Sequence, residues 1–152
     1  MGHRNAEGDQ AVKTVFRLTQ LPPSTNNLFL NVAHGRIRSQ KYDTWLQEAH
    51  VDYLRQRPKK VAGPVHITME FQEPKRRSDL DNRIKAPLDF LVKAGVIEAD
   101  DNSTVRKLNL AWSDEIEGCR ITIESIFVPL ASASSASPTT DGHANERTNN
   151  RP

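Results

Sequence analysis

Asp79 and Asp81 stand one residue apart in the run Lys75-Arg76-Arg77-Ser78-Asp79-Leu80-Asp81-Asn82-Arg83-Ile84-Lys85. Two carboxylates this close repel each other, and a bound divalent cation offsets that repulsion best. Five Lys or Arg residues share the same eleven positions, enough local positive charge to attract a polyanion such as a nucleic-acid backbone. The combined chemistry is that of a metal-dependent enzyme acting on phosphodiesters. Whether the pair can share an ion depends on the element that carries it. In an extended segment, period-two alternation puts both carboxylates on one side; on a helix they diverge by roughly 200°. A strand-to-helix junction is therefore the sensible place for them. Asn82 adds a neutral oxygen to the cluster. Lys85 lies four residues beyond Asp81, on the same face if the segment is helical. There it can pair with Asp81 and do nothing more, or it can stabilise charge developing on a phosphate under attack.

Duller readings compete. Helix capping plus a surface salt bridge accounts for an Asp-x-Asp pair without any function. A phosphatase with an aspartyl nucleophile needs its first Asp at the end of a buried apolar strand. Here Lys75-Arg76-Arg77-Ser78 precedes it, which argues against that mechanism. Asp100-Asp101 shifts the balance, because a third carboxylate completes an oxygen-rich site suited to magnesium or manganese. Such a site deprotonates water and clamps an in-line displacement at phosphorus. The basic flanks disfavour a phosphohydrolase of small substrates. A nucleic-acid-binding module without turnover is the competing class.

The elements that must position these residues are legible in the pattern of the chain. Residues 64–71 alternate Val65, Ile67, Met69 and Phe71 with polar residues, a half-buried strand that leads straight into the basic run. Active sites commonly form at such strand ends, where a rigid element positions a loop. Ser78 or Asp79 can cap a following helix with the apolar face Leu80, Ile84, Leu88, Leu91 and Val92. Pro87 interrupts that pattern, so the helix is kinked or begins later. Gly95 is its natural left-handed end. Upstream, residues 12–20 read as a first strand, stopped by Leu21-Pro22-Pro23-Ser24-Thr25-Asn26-Asn27. Asn26 and Asn27 either point at a site or close that turn. Residues 28–39 read as an irregular segment, either an exposed loop or a basic flap in which Arg36 and Arg38 touch phosphates. Ser39 then caps a helix with Tyr42, Trp45, Leu46, Ala49 and Tyr53 at helical spacing, ended near Pro58. Residues 105–112 and 118–128 read as two more strands, paired as a hairpin around Asp114–Gly118.

The expected fold is α+β, one small domain in the order β-α-β-α-β-β, with a mixed sheet packed by two helices. It spans residues 13–128, between a mobile leader (1–12) and a disordered tail (129–152) of Ala, Ser, Thr, Pro and Asn that cannot bury enough apolar surface to fold. The 152 residues suffice for a real core, and a net charge of +2 means that any nucleic-acid contact rests on local patches. The lone Cys119 excludes an intramolecular disulfide and a multi-cysteine zinc site. No apolar run is long enough to span a bilayer and no signal-peptide pattern opens the chain, so a soluble, cytoplasmic protein is expected.

Taken in order, Leu21-Pro22-Pro23-Ser24-Thr25-Asn26-Asn27, Arg76-Arg77-Ser78-Asp79-Leu80-Asp81-Asn82, Lys85, and Lys93-Ala94-Gly95-Val96-Ile97 leading to Asp100-Asp101 resemble the RusA-type Holliday junction resolvases. The resemblance spans nearly the whole expected domain. It implies a homodimer that binds four-way DNA junctions and makes paired, symmetric, magnesium-dependent nicks in recombination and repair. It further implies that Asp79 and Asp81 are metal ligands, that Lys85 is catalytic, and that Asp101 is the third ligand. Asp100 stays an alternative, because Glu98-Ala99 lengthens the connection by one residue. Lys75, Arg76, Arg77, Asn82, Arg83, Arg36 and Arg38 are then the residues expected to meet DNA.

Overall fold

The computed structural model describes residues 12–126; the expected leader, apart from Val12, and the tail lie outside the described residues. The fold is α+β. Its centre is β4 (Val65–Gln72), whose inward residues Val65, Ile67, Met69 and Phe71 are all fully buried. Burying that many large apolar side chains from one strand stabilises the fold by several kcal/mol, at ~2 kcal/mol each. Strands β1 (Lys13–Leu18), β6 (Cys119–Ser125), β4 and β5 (Val105–Ser113) form one sheet in the order β1-β6-β4-β5. β4 runs antiparallel to β6 and parallel to β5, so the sheet is mixed. A parallel pair needs a crossover, supplied here by α2 (Lys85–Lys93) and the loops around it. Helix α1 (Gln40–Gln56) packs Tyr42, Trp45 and Ala49 into the same core.

Helix α1 begins as its sequence predicts. The Ser39 hydroxyl accepts the Tyr42 amide at 3.1 Å, and Arg57 ends the helix in a left-handed conformation just before Pro58. The helix also covers the outer edge of the sheet. Gln56 accepts from the Arg17 amide at 2.8 Å and donates to the Arg17 carbonyl at 2.6 Å, taking the place of a neighbouring strand. Asp52, buried beneath, accepts both the amide and the hydroxyl of Thr19.

Three expectations are corrected. Residues 28–39 are not irregular: β2 (Phe29–Val32) and β3 (Gly35–Arg38) pair as an antiparallel hairpin. Its residues are almost all exposed, so burial left little pattern to read. Next, β5 and β6 do not form a hairpin, because β4 lies between them. β4 is apolar enough to be enclosed on both edges, whereas the half-exposed β5 takes the rim. Finally, neither Ser78 nor Asp79 caps α2, which starts at Lys85 after a 3₁₀ turn, Asp81–Arg83. Pro87 therefore falls in the first helical turn, where its missing amide hydrogen costs nothing. The later start rotates the buried face to Ala86, Pro87, Phe90 and Leu91.

Candidate functional site

The end of β4 sets the loop that carries the basic run. The Glu73 amide donates to the Ser113 carbonyl at 3.0 Å, which extends the β4–β5 ladder by one step. Beyond it, Glu73, Pro74, Lys75, Arg76, Arg77, Ser78 and Asp79 line an open groove of about 450 Å³ closed on one side by Trp112. Lys75, Arg76 and Arg77 are exposed, and none makes an ion pair among the described residues. Half-buried Leu80 then returns the chain to the core.

Asp79 and Asp81 follow, both exposed and neither paired with a cation among the described residues. Asp79 accepts a long 3.4 Å hydrogen bond from the Asn82 amide. Arg83, two residues beyond Asp81, is turned inward. It donates to the Pro22 carbonyl at 2.6 Å and to the Ser78 hydroxyl at 3.0 Å, and its buried Nε has no partner among the described residues. Burial lowers its pKa, though a guanidinium stays charged in any such site. Arg83 is thus a clamp between the proline turn and the basic loop. Thr25 strengthens that clamp, donating to the Asn82 carbonyl at 3.1 Å. Asn27 closes its own turn on Ser24 at 3.3 Å, while Asn26 is exposed.

Lys85 does not reach back to Asp81. Its ammonium sits 2.8 Å from Asp89 and 3.8 Å from Asp100. The Asp89 hydrogen bond, first of several causes, holds Lys85 above the usual lysine range against partial desolvation. The adjacent aspartates of the second pair divide in role. Asp100 is directed at Lys85, whereas Asp101 Oδ1 accepts from the Ser103 amide (3.0 Å), the Ser103 hydroxyl (2.6 Å) and the Thr104 amide (3.2 Å). Those bonds, the Ser103 hydroxyl foremost, keep the Asp101 carboxyl below its ordinary pKa. They shape the turn into β5.

On the hairpin, the Arg36 guanidinium lies 4.8 Å over the Phe29 ring, and Arg38 pairs with Asp43 at 2.9 Å. Both are exposed. Asp89 was not singled out by the sequence, although its place four residues after Lys85 was a usable signal. Trp112, read only as a strand residue, forms a wall of the groove.

Asp79, Asp81 and Asn82 are close in sequence and carry carboxylate and amide oxygens, the set a hard divalent ion prefers, although Asn82 here turns its amide nitrogen toward Asp79. Their lack of cation partners leaves them available to one. Among the described residues, no three His, Cys, Asp or Glu side chains are gathered closely enough to hold it by themselves.

The model of the endodeoxyribonuclease RusA family matches residues 20–124, more than half of the chain. The chain belongs to the RusA family. That match covers every site residue above and supports a nuclease that acts on DNA. No curated protein matches the chain. Among the described residues no helix is long and apolar enough to cross a membrane.

Proposed function

We propose that this RusA-family chain is a magnesium-dependent endonuclease that resolves four-way (Holliday) DNA junctions by paired, symmetric nicks in recombination and repair. The observation that carries this reading is the pair Asp79 and Asp81, exposed and without cation partners among the described residues, beside a groove walled by Lys75, Arg76 and Arg77, which make no ion pair among those residues. Carboxylates in so basic a segment would ordinarily be neutralised by their neighbours. Here Arg83 is held elsewhere and Lys85 is held by Asp89.

Asp79 and Asp81, with the Asn82 oxygen and a carboxylate of the Asp100-Asp101 pair, would hold magnesium, with manganese as a substitute. When bound, the ion supplies an activated water and neutralises charge at phosphorus. Lys85 stabilises the negative charge that builds on the attacked phosphate. Arg76 and Arg77, with Lys75 and hairpin Arg36 and Arg38, hold the flanking backbone. A four-way junction is pseudo-symmetric, so two equivalent cuts call for two equivalent sites, and a homodimer provides them.

One observation favours the rival reading, a junction-binding module without turnover. Asp101, the expected third ligand, is engaged in its own turn. The two readings separate on a labelled synthetic junction, beside a matched linear duplex, with and without magnesium. Paired nicks on the junction alone, and only with magnesium, are expected. Tight binding without cuts under any divalent ion would leave the module.

The groove carries its own prediction. Every cation that neutralises a DNA phosphate steepens the fall of log affinity with log salt by about 1. Changing both Arg76 and Arg77 to Ala should therefore weaken junction binding at low salt and flatten that slope by about 2. Fluorescence anisotropy across a salt series checks it. An unchanged slope would remove the groove from the DNA interface.

A further inference from the structure

We infer that Asp89 is a positioning residue that holds the Lys85 ammonium in place, with Tyr42 in turn holding Asp89; this rests on the reading of Lys85 as the charge stabiliser. One Asp89 oxygen takes the Lys85 ammonium at 2.8 Å, and the other accepts the Tyr42 hydroxyl at 3.2 Å. The Asp89 side chain is four-fifths buried, while that of Lys85 is half exposed. The anchor lies deeper still. Tyr42 is 1% exposed, its ring packed edge-on to Phe29 and stacked beside Trp45. The chain of contacts therefore runs from a rigid core residue through a carboxylate to a lysine at the surface.

Helix stability alone is a weak explanation of the pair. Lys85 is the first residue of α2 and Asp89 follows it by one turn, the order that opposes the helix dipole. A cation at that end costs helix stability, so the arrangement serves the placement of the ammonium. Burial first, and then the Asp89 charge, raises the Tyr42 phenol above its ordinary range, so its hydroxyl stays a donor. A free lysine side chain samples many rotamers, and fixing it beforehand removes that entropy from the reaction barrier. Held by Asp89, the ammonium also stands 3.8 Å from Asp100, on the side of the second acidic pair.

The test uses the full-length chain in two arms. In the first, without DNA or metal, the ammonium groups of ¹⁵N-lysine-labelled protein are observed by NMR. Lys85 is assigned by its loss in Lys85→Ala, and a slowly exchanging signal is expected that vanishes in the near-isosteric Asp89→Asn and weakens in Tyr42→Phe. In the second, single-turnover cleavage of a synthetic four-way junction with magnesium should fall by about 10- to 100-fold in Asp89→Asn, with junction affinity unchanged. Adding Asp89→Asn to Lys85→Ala should lower the rate no further. A Lys85 signal unaltered by Asp89→Asn, or a full additional loss in the Lys85→Ala background, overturns the assignment. If the signal behaves as expected but Lys85→Ala cuts at the wild-type rate, the catalytic reading of Lys85 fails and the placement survives as structure only.

Discussion

Asp81→Asn should lower magnesium-dependent junction cleavage by about a thousandfold or more while leaving junction affinity within a factor of about two. The expectation follows from what Asp81 does and does not touch. Its backbone carbonyl accepts the Ile84 amide and so closes the 3₁₀ turn, a bond that the substitution keeps. Its carboxylate makes no hydrogen bond or ion pair among the described residues and is exposed. Asn has the same shape, so neither the turn nor the fold has reason to change. What goes is one negative charge beside Asp79, which lowers the site's demand for a divalent ion. Junction binding, proposed to rest on Arg and Lys side chains, would keep all its cations. Single-turnover cleavage and anisotropy on the same junction read the two quantities separately. Wild-type cleavage in the variant would refute the metal-binding role.

The basic loop was legible because its chemistry is local. Asp79, Asp81 and the cations around them are neighbours in sequence, and the alternation of β4 says where the strand carrying them must end. The position of Lys85 was legible for the same reason, but its partner was not. Period alone allows a lysine to reach four residues back or four residues forward. The choice of Asp89 over Asp81 depends on α2 starting at Lys85, which leaves Asp81 on a separate turn outside the helical frame. The partners of Arg83 were hidden for a related reason. In sequence it is one more cation in a basic run, and only the proline turn folded against it, 61 residues away, claims its guanidinium. The strand pairing was hidden most completely. Residues 105–113 and 119–125 are consecutive strands with a turn between them, and nothing local shows that β4 will be inserted there. That insertion is decided by which strand has most to bury.

The same topology makes Gly118, among the described glycines, the one whose substitution should damage the fold most. Gly118→Ala is expected to cost on the order of 4 kcal/mol, a large part of the stability of a domain this size. The chain leaving β5 must pass the end of β4 and enter β6 between β4 and β1, and Gly118 is the point of entry. Its carbonyl accepts the Gln72 amide at 2.8 Å and its amide donates to the Gln72 side chain at 3.0 Å, which fixes it against β4. On the other side, a β-carbon would overlap the Leu18 carbonyl and the Thr19 backbone. Neither can move without breaking the pairing of Leu18 with Cys119. A φ of +71° adds a conformational penalty of about 1–2 kcal/mol for any residue with a β-carbon. Gly63 separates the two costs, because it has a similar φ of +76° but open space where a β-carbon would stand. Gly63→Ala should therefore show only the conformational part, about 1 kcal/mol. Thermal melts of the two variants against wild type make the comparison, with Gly118→Ala expected to melt about 15 °C lower. Equal losses at the two glycines would mean that the passage between β1 and β4 is looser than the sheet register requires.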